Sequence, residues 1–178
     1  MIKLQLFADA TKPEVVQGKK IIYLFRLLSE AASESAAAMA FVTENERSKS
    51  VDYEATATKD GAVQTPGEVE HEITATAIFS TDGKAEKFED AMDNNEKIEI
   101  WEINLAYPGT GDDEGKYSAR YMQGYITELT LTSSAEEHAE YETTFAISGT
   151  GEKGFATVSD EQKAIAEYVF KDTTSTGA

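Results

Sequence analysis

The chain has 178 residues, 40% of them hydrophobic and 28% charged, which is enough for one domain with a real core. Lys and Arg total 16 against 33 Asp and Glu, giving a formal net charge of −17, and such a surface repels nucleic-acid phosphates and anionic lipid. Cysteine is absent, which excludes disulfide scaffolding, thiolate catalysis and cysteine-zinc sites. No apolar run approaches the length that spans a bilayer, and the apolar part of MIKLQLFADA is too short for a secretion signal. We therefore expect cytoplasmic synthesis and no membrane partner.

The first forty residues combine a predicted arm with one buried strand. Residues 1–18 predict an irregular arm or a short strand, because Pro13 and Gly18 are breakers. The continuous apolar run at 21–28 (IIYLFRLL) predicts a buried strand. Residues 29–40 are rich in Ala, Ser and Glu but lack a full apolar stripe, so a short helix and a loop both remain open.

Two alternating segments follow, separated by turn signals. The first contains VDYEATAT, and the signals after it are Gly61 and the Pro66-Gly67 pair. The second, residues 69–79, places Val69, His71, Ile73, Ala75 and Ala77 on one strand face. Residues 84–94 then have Ala85, Phe88, Ala91 and Met92 at helical spacing, which predicts a helix lying on a sheet, anchored by Phe88 and Met92.

The longest pattern is an extended β-hairpin over residues 98–132. Two alternating strands flank the loop PGTGDDEG, and one face of such a hairpin is expected to be buried. A further strand is predicted at 141–148. Residues 159–162 (SDEQ) form a capping-box pattern before KAIAEYVF, which indicates a short C-terminal helix, although YVF could equally be the end of a strand. Residues 171–178 are expected to be a flexible tail. The fold class is therefore α+β, mainly β: an antiparallel β-sandwich with a flanking α-helix and a long β-hairpin.

The motifs that could carry chemistry are better explained as turns and loops. Residues 149–154 match G-x-G-x-x-G, but FATV follows where a nucleotide-binding helix would have to begin. The acidic GTGDDEG segment could bind calcium, yet it lacks the ligand spacing of an EF-hand. His71 and His138 have no second metal ligand at helical spacing. We therefore expect no cofactor, no metal and no catalytic residue.

The order of short motifs resembles the major tail proteins of long-tailed, non-contractile phages, of the lactococcal-phage type. The matching segments are 18–24 (GKKIIYL), 58–61 (TKDG), 100–103 (IWEI), 117–121 (YSARY), 124–127 (GYIT), 149–151 (GTG) and 168–170 (YVF). The resemblance implies one tail-tube domain over residues 1–178, and it implies a structural protein without enzymatic activity. It also implies hexameric rings that stack into a hollow tube, through which viral DNA is ejected, with strands of neighbouring subunits continuing one sheet around the lumen.

We use this resemblance to assign site residues. Strands at 98–105 and 118–131 are expected to form the inner sheet, with the polar, solvent-facing Glu99, Gln123 and Thr127 as lumen candidates. The segments 43–66 and 107–116 are expected to contact other subunits or rings. Their candidate interface residues are Thr58, Lys59, Asp60, Gly61, Asp112, Asp113 and Glu114. An acidic lumen would let DNA slide without sticking.

The expected partners are copies of the same chain, the distal tail or tail-tip protein, the tape-measure protein and the tail terminator. The chain is expected to be made and assembled in the host bacterial cytoplasm and to reside in the virion tail. A related alternative is another tube or connector part of a phage tail, or the tube protein of a secretion-like contractile machine. Two other classes also stay open. A carbohydrate-binding β-sandwich on a virion would present an aromatic platform, formed by Trp101, Tyr107, Tyr117 and Tyr121. An enzyme would need a cleft that holds a carboxyl group of raised pKa.

Overall fold

The computed structural model describes residues 15–166, which form mainly antiparallel strands. The strands are β1 (Ile21–Leu27), β2 (Val42–Thr58), β3 (Gly61–Ile78), β4 (Ile98–Pro108), β5 (Lys116–Thr132), β6 (Glu140–Ile147) and β7 (Glu152–Thr157), and the helices are α1 (Lys84–Asp93) and α2 (Asp160–Ala166). The strands are hydrogen-bonded in the order β1-β4-β5-β6-β3-β2, and β7 also pairs with β5. Every pairing is antiparallel.

The sheet folds over on itself along β5, which belongs to two layers. The first half of β5 pairs with β4 on one edge and with β7 on the other, whereas its second half pairs with β6. The first layer is therefore β1-β4-β5-β7, and the second is β5-β6-β3-β2. Phe25 of β1 stacks on Phe145 of β6 with ring centroids 5.1 Å apart, although β4 and β5 separate these strands in the sheet order. The two layers therefore face each other as a sandwich.

The main core lies between the two layers and is closed by α1. Phe88 of α1 packs edge-on against both Phe25 and Phe145, at centroid distances of 5.8 Å. The helix buries Ala85, Phe88 and Ala91, while Met92 is 36% exposed. The helix prediction is confirmed in place, but the expectation that Met92 anchors it is wrong, because the chain turns Met92 to the rim of the buried stripe.

A second apolar cluster covers the outer face of the first layer. Its buried members come from three strands or segments, and they are Ile22, Leu24, Ile103, Leu105 and Val158. The chain reaches this face through the predicted capping box: Ser159 Oγ accepts from the Gln162 backbone N–H at 3.2 Å, and Gln162 Oε1 accepts from the Ser159 N–H at 2.9 Å. Gln162 Nε2 also donates to the Ala36 carbonyl. Strand β4 is consequently covered on both faces, which its alternating sequence did not predict.

The distal halves of β2 and β3 leave the sandwich as a two-stranded ribbon, which we call the arm (residues 49–70). Strand β3 pairs with β6 only from Glu72 onward, so the arm has no further strand beside it within the described range. It is about ten residues long on each strand, or roughly 30 Å at 3.3 Å per residue. The turn at Gly61 is confirmed, whereas Pro66-Gly67 does not turn the chain. These residues lie inside β3 beside a register shift, a place that tolerates the missing N–H of proline.

The base of the arm is tied to the first layer by a polar network. Arg47 of β2 forms an ion pair with Glu102 of β4, and the Tyr23 hydroxyl donates to the same carboxylate at 2.7 Å. Burial and the donation to Glu102 raise the pKa of Tyr23, so this phenol stays a donor. One carboxylate therefore links β1, β2 and β4 across the opening of the sandwich.

His71 is buried beside this network, with 4% of its surface exposed. Neither ring nitrogen has a hydrogen-bond partner among the described residues. Burial lowers the pKa of His71, and the charges of Arg47, Lys49 and Arg120 lower it further, although the Gly149 backbone acts in the opposite direction. The imidazole is therefore held neutral in the folded protein.

Most remaining strand predictions are confirmed, including β1, β4, β5, β6 and the turn before β7. Residues 29–40 were left open between a short helix and a loop. The structure has one helical turn, Leu28–Glu30, followed by an irregular segment that bridges β1 at Ala37. The start of the predicted C-terminal helix is confirmed as α2. The predictions for residues 1–14 and 167–178, which include the YVF segment, lie outside the described range.

We expect Gly124→Ala to destabilise the fold, because Gly124 lies where β5 passes from one layer to the other. A Cβ there would collide with the Ala146 carbonyl oxygen of the adjacent strand, and overpacking of this kind costs about 1–3 kcal/mol. Gly154→Ala in β7 is the matched control, since no atom lies within 4 Å of its Cβ position. Urea unfolding measures both. Equal midpoints for the two variants would contradict this role of Gly124.

We expect His71 to make folding pH-dependent. The pKa of His71 is lower in the folded state than its unfolded value of about 6.5, so the unfolded state binds more protons in mild acid. The stability that is present above about pH 6.5 is therefore lost as the pH falls below that value. Between about pH 7.5 and 5.5 the loss reaches at most about 1.4 kcal/mol. Urea unfolding of His71→Gln should lack this component, while His138→Gln, at an exposed histidine, should keep it. An unchanged pH dependence in His71→Gln would refute the assignment.

Candidate functional site

The residues predicted to contact other subunits lie at two exposed chain reversals. Thr58, Lys59, Asp60 and Gly61 form the tip of the arm, and all four are exposed. Thr58 Oγ1 donates to the Gly61 carbonyl at 2.6 Å, which closes the reversal. The tip is therefore a defined turn that stands clear of the sandwich.

The second reversal is the loop between β4 and β5. Gly111–Asp113 forms a single helical turn, and the Asp113 carboxylate accepts from Lys116 Nζ at 2.8 Å. Asp112 and Glu114 are exposed on either side of it. Within residues 15–166 no group of three or more His, Asp or Glu side chains is arranged to hold a metal ion. This loop is thus an acidic surface loop at the opposite end of β5 from the Thr132 terminus.

Glu99, the first lumen candidate, is a structural residue and not a solvent-facing one. It is 5% exposed, and its carboxylate forms an ion pair with Arg26 at 2.6 Å and accepts from the Tyr121 hydroxyl at 2.6 Å. Arg26 in turn lies 5.1 Å from the centroid of the Trp101 ring and donates to the Glu34 carbonyl. The expectation that Glu99 faces solvent is therefore wrong. Its partner Arg26 is 73 residues away in the sequence, so alternation along β4 could not reveal the pairing.

The other two lumen candidates lie in different surroundings. Gln123 is opposite Glu99 on the neighbouring strand and is half-buried, with its side-chain amide donating to the Tyr121 hydroxyl. Thr127 is exposed at the register shift of β5, and its hydroxyl donates to the Thr144 carbonyl at 3.3 Å. The structure thus joins Glu99 and Gln123 in one network and leaves Thr127 separate.

The four aromatic residues considered as a sugar platform do not form one flat surface. Trp101 and Tyr121 are tilted at 46° to each other, and the Arg26 guanidinium covers the Trp101 ring. The Tyr117 ring is approached by Lys163 Nζ at 5.7 Å. Only Tyr107 of these four is largely exposed. This arrangement does not favour the carbohydrate-binding class.

Sequence reasoning missed that the whole arm is exposed on both faces. Its apolar side chains Tyr53, Val63 and Val69 are 60%, 54% and 47% exposed. The signal was present in the composition: the segments VDYEATAT and GAVQTPGEVE contain too few large apolar residues to bury either face of a ribbon. It also missed the Arg47–Glu102 pair, which has no local sequence signal.

Within residues 15–166 no helix has the length and apolar character needed to cross a bilayer.

Comparison with known proteins identifies the family. Residues 15–153 match the sequence model of the family described as phage tail tube protein. A protein of Staphylococcus phage phiMR25 that is described as a tail protein is 35% identical over 162 residues, which cover 88% of this chain and 82% of the relative.

Solved structures share the fold. The SPP1 tail tube superimposes with a TM-score of 0.69 at 20% identity, over 92% of this chain and 95% of that one. The tail of an empty gene transfer agent particle, refined with C6 symmetry, gives a TM-score of 0.58 at 16% identity over 80% of this chain and 100% of that one. The tube of an extracellular contractile injection system gives 0.51 at 14% identity, over 84% and 95% of the two chains. Family, relative and fold agree, and the chain belongs to the phage tail tube proteins, which are structural components of the virion tail and not enzymes.

Proposed function

We propose that this chain assembles into hexameric rings that stack into the tail tube, and that phage DNA passes through the lumen during ejection. The family assignment supports a tube subunit, and a tail refined with C6 symmetry shares its fold. The observation that carries the proposal in this molecule is the arm. A two-stranded ribbon is marginally stable alone in water, and this one exposes Tyr53, Val63 and Val69. We infer that it docks on neighbouring copies.

Unpaired strand edges support the same assembly. Within the described range β2 bonds to β3 alone, and β7 bonds to β5 alone. Unprotected edges of this length invite pairing with another chain, and a closed ring of subunits removes them. We propose that strands of neighbouring subunits continue one sheet around the lumen. The arm tip (58–61) and the 109–115 loop then make contacts between subunits or rings.

The charge of the chain suits passage of DNA without binding. A net charge of −17 per subunit repels phosphates, so DNA would not adhere to the tube. With Glu99 bound inside the subunit, we propose that the lumen-facing positions of β5 include Gln123 and Thr127. The same repulsion between subunits is screened by salt, over about 10 Å at 0.1 M.

The remaining partners of the tube are proposals of the same kind. We propose that the tube begins on a distal tail or tail-tip protein, that a tape-measure protein sets its length and that a terminator closes it. We propose that assembly occurs in the host bacterial cytoplasm, where a chain without cysteine is indifferent to reducing conditions.

The direct test is negative-stain electron microscopy of the purified chain, alone and with a tail-tip nucleator. Rings or hollow tubes are expected. A sample that stays monomeric in both conditions would contradict the proposal.

We expect Tyr53→Asp to abolish tube formation without unfolding the subunit. Tyr53 is 60% exposed, so the monomer should lose less than about 0.5 kcal/mol, whereas a charge buried in a docked arm costs several kcal/mol. Met92→Asp on α1 introduces the same charge at a surface with no proposed contact, and it should assemble normally. Microscopy and sedimentation measure assembly. Normal tubes from Tyr53→Asp would contradict docking through this face.

Substitution by lysine distinguishes the structural residue Glu99 from the lumen candidate Thr127. Glu99→Lys removes the partner of Arg26 and adds a like charge, which should cost about 3 kcal/mol or more. Thr127→Lys at an exposed position should leave urea unfolding unchanged within about 0.5 kcal/mol. The Thr127→Lys variant should still form tubes. These tubes should release DNA more slowly, because the added cations attract phosphates. Wild-type unfolding of Glu99→Lys would refute the structural role of Glu99.

A further inference from the structure

The second layer, β5-β6-β3-β2, ends in a free strand edge on both sides. On one side, the outer edge of β2 has no partner strand among residues 15–166. On the other side, Gly124 of β5 pairs with Ile98 of β4 on one edge and with Ile147 of β6 on the opposite edge. Because Ile98 is the first residue of β4, no described strand pairs with this edge of β5 beyond Gly124. Each subunit therefore offers two free edges that belong to the same layer.

The two edges match in length and in direction. The part of β5 beyond Gly124 that pairs with β6 covers residues 125–132, and the part of β2 inside the sandwich covers residues 42–48. Successive strands of this layer are antiparallel, so β2 runs opposite to β5. A second copy placed beside β2 in the same orientation therefore presents an antiparallel β5. A head-to-tail contact of this kind closes into a ring when the rotation between copies allows it.

Each free edge has an exposed apolar side chain at the same level of the sheet. One row of paired residues runs straight across the layer, and it consists of Leu131, Tyr141, Ala77 and Val42. Leu131 at one end of this row is 55% exposed, and Phe41, which precedes Val42 at the other end, is 68% exposed. A neighbouring copy that continues the row brings its Leu131 close to Phe41. The two edges are thus complementary in apolar character as well as in direction.

The backbone of Phe41 indicates a role outside the subunit. Its φ is +52°, in the left-handed region that large side chains rarely adopt. The exposed ring contributes little to the core, so folding of the subunit does not require an aromatic residue at this strained position. Strained residues are concentrated at functional sites, and aromatic side chains are common anchors of protein interfaces.

The second layer is also the one whose outer face is uncovered. The outer face of the first layer is covered by the apolar cluster that includes Val158. Outside the arm, the outward-facing positions of the second layer include no Lys or Arg within the described range. They include the exposed carboxylates of Glu44, Glu46, Glu72, Glu128, Glu140 and Glu142. A ring closed through this layer can therefore present a face to its lumen that repels phosphates.

We propose that the outer edge of β2 pairs with the β5 edge beyond Gly124 in the next copy, and that Phe41 docks against Leu131 of that copy. This inference rests on the proposed self-assembly, and it names the two edges that join the sheets. Backbone hydrogen bonds hold the strands together, and the apolar contact determines the register. The second layers of successive copies then form one continuous sheet, while the free edge of β7 lies outside this contact.

Phe41→Asn separates assembly from folding. Asn adopts positive φ more readily than Phe, so urea unfolding of the subunit should be unchanged or shifted to higher denaturant. The sedimentable fraction should fall by about tenfold or more, because an aromatic anchor of the interface is lost. Leu131→Asn on the opposite edge should have the same effect on assembly. Normal assembly of both variants would overturn the docking of Phe41 on Leu131.

Phe155→Asn is the matched control, because Phe155 is an exposed aromatic residue of β7, the other free edge. It should assemble like the wild type. Loss of assembly in Phe155→Asn but not in Phe41→Asn would assign the contact to β7. That result would overturn the proposed pairing while leaving the tube function intact.

Disulfide trapping tests the pairing itself, since the chain contains no cysteine. One protein carries Glu46→Cys in β2, and a second carries Glu128→Cys in β5, with Thr127→Cys and Thr130→Cys run in parallel to cover neighbouring registers. Facing Cα atoms of antiparallel strands lie about 4.5–5.5 Å apart, within the limit of about 7 Å for a disulfide. Mixed dimers are expected after oxidation from at least one β5 position. Lys153→Cys in β7 replaces the β5 variant in the control, and an equal yield from it would overturn the pairing.

Single and double variants distinguish the remaining outcomes. Glu46→Cys by itself should give no dimer, and a dimer would indicate a two-fold contact between two β2 edges and overturn the head-to-tail pairing. A chain carrying both Glu46→Cys and the reactive β5 substitution should give a ladder of multimers. Tubes that form without any cross-link would overturn the pairing and leave the tube function intact. A cross-linked ladder without rings or tubes would support the pairing and contradict the tube function instead.

Discussion

The structure depends on one strand that serves two layers. β5 belongs to both halves of the sandwich, so the position at which it crosses determines how the halves face each other. The crossing requires a residue without a side chain at Gly124, because β6 approaches there at backbone contact distance. The aromatic core of Phe25, Phe88 and Phe145 forms only when that crossing is made. Local alternation produces the strands, and this single crossing converts them into a sandwich.

The subunit is stabilised at its centre and incomplete at its margins. Its interior is apolar, while the arm exposes apolar side chains and the outer edge of β2 has no described partner strand inside the chain. Such an arrangement fits a protein that reaches its lowest free energy in an assembly. The Tyr23–Glu102–Arg47 network holds the base of the arm while the rest of the arm stays accessible. The strong negative charge of the chain makes its copies repel each other, which opposes non-specific association through these exposed surfaces.

Much of the fold was readable from the sequence, and the gaps have physical causes. Alternation located the long hairpin of β4 and β5, and helical spacing located α1, because one buried face is a local property. The sequence could not show that β4 is covered on both faces, since the covering residues, such as Val158, are distant in the chain. Glu99 was assigned to the surface for that reason, whereas its ion pair with Arg26 is set by tertiary packing. Pro66-Gly67 was read as a turn, but a register shift accommodates it within β3. The interface assignments came from resemblance and remain predictions.

The shared strand also has a mechanical consequence. When a load pulls β5 along its own axis, its hydrogen bonds to β4, β6 and β7 are stretched sideways and must break together, whereas a load across the sheet opens them one after another. A wall built from such subunits resists elongation parallel to this strand far better than peeling at its margins. Stiffness is thereby directional within one small chain: the sandwich resists a load along β5 and yields to a load across its strands.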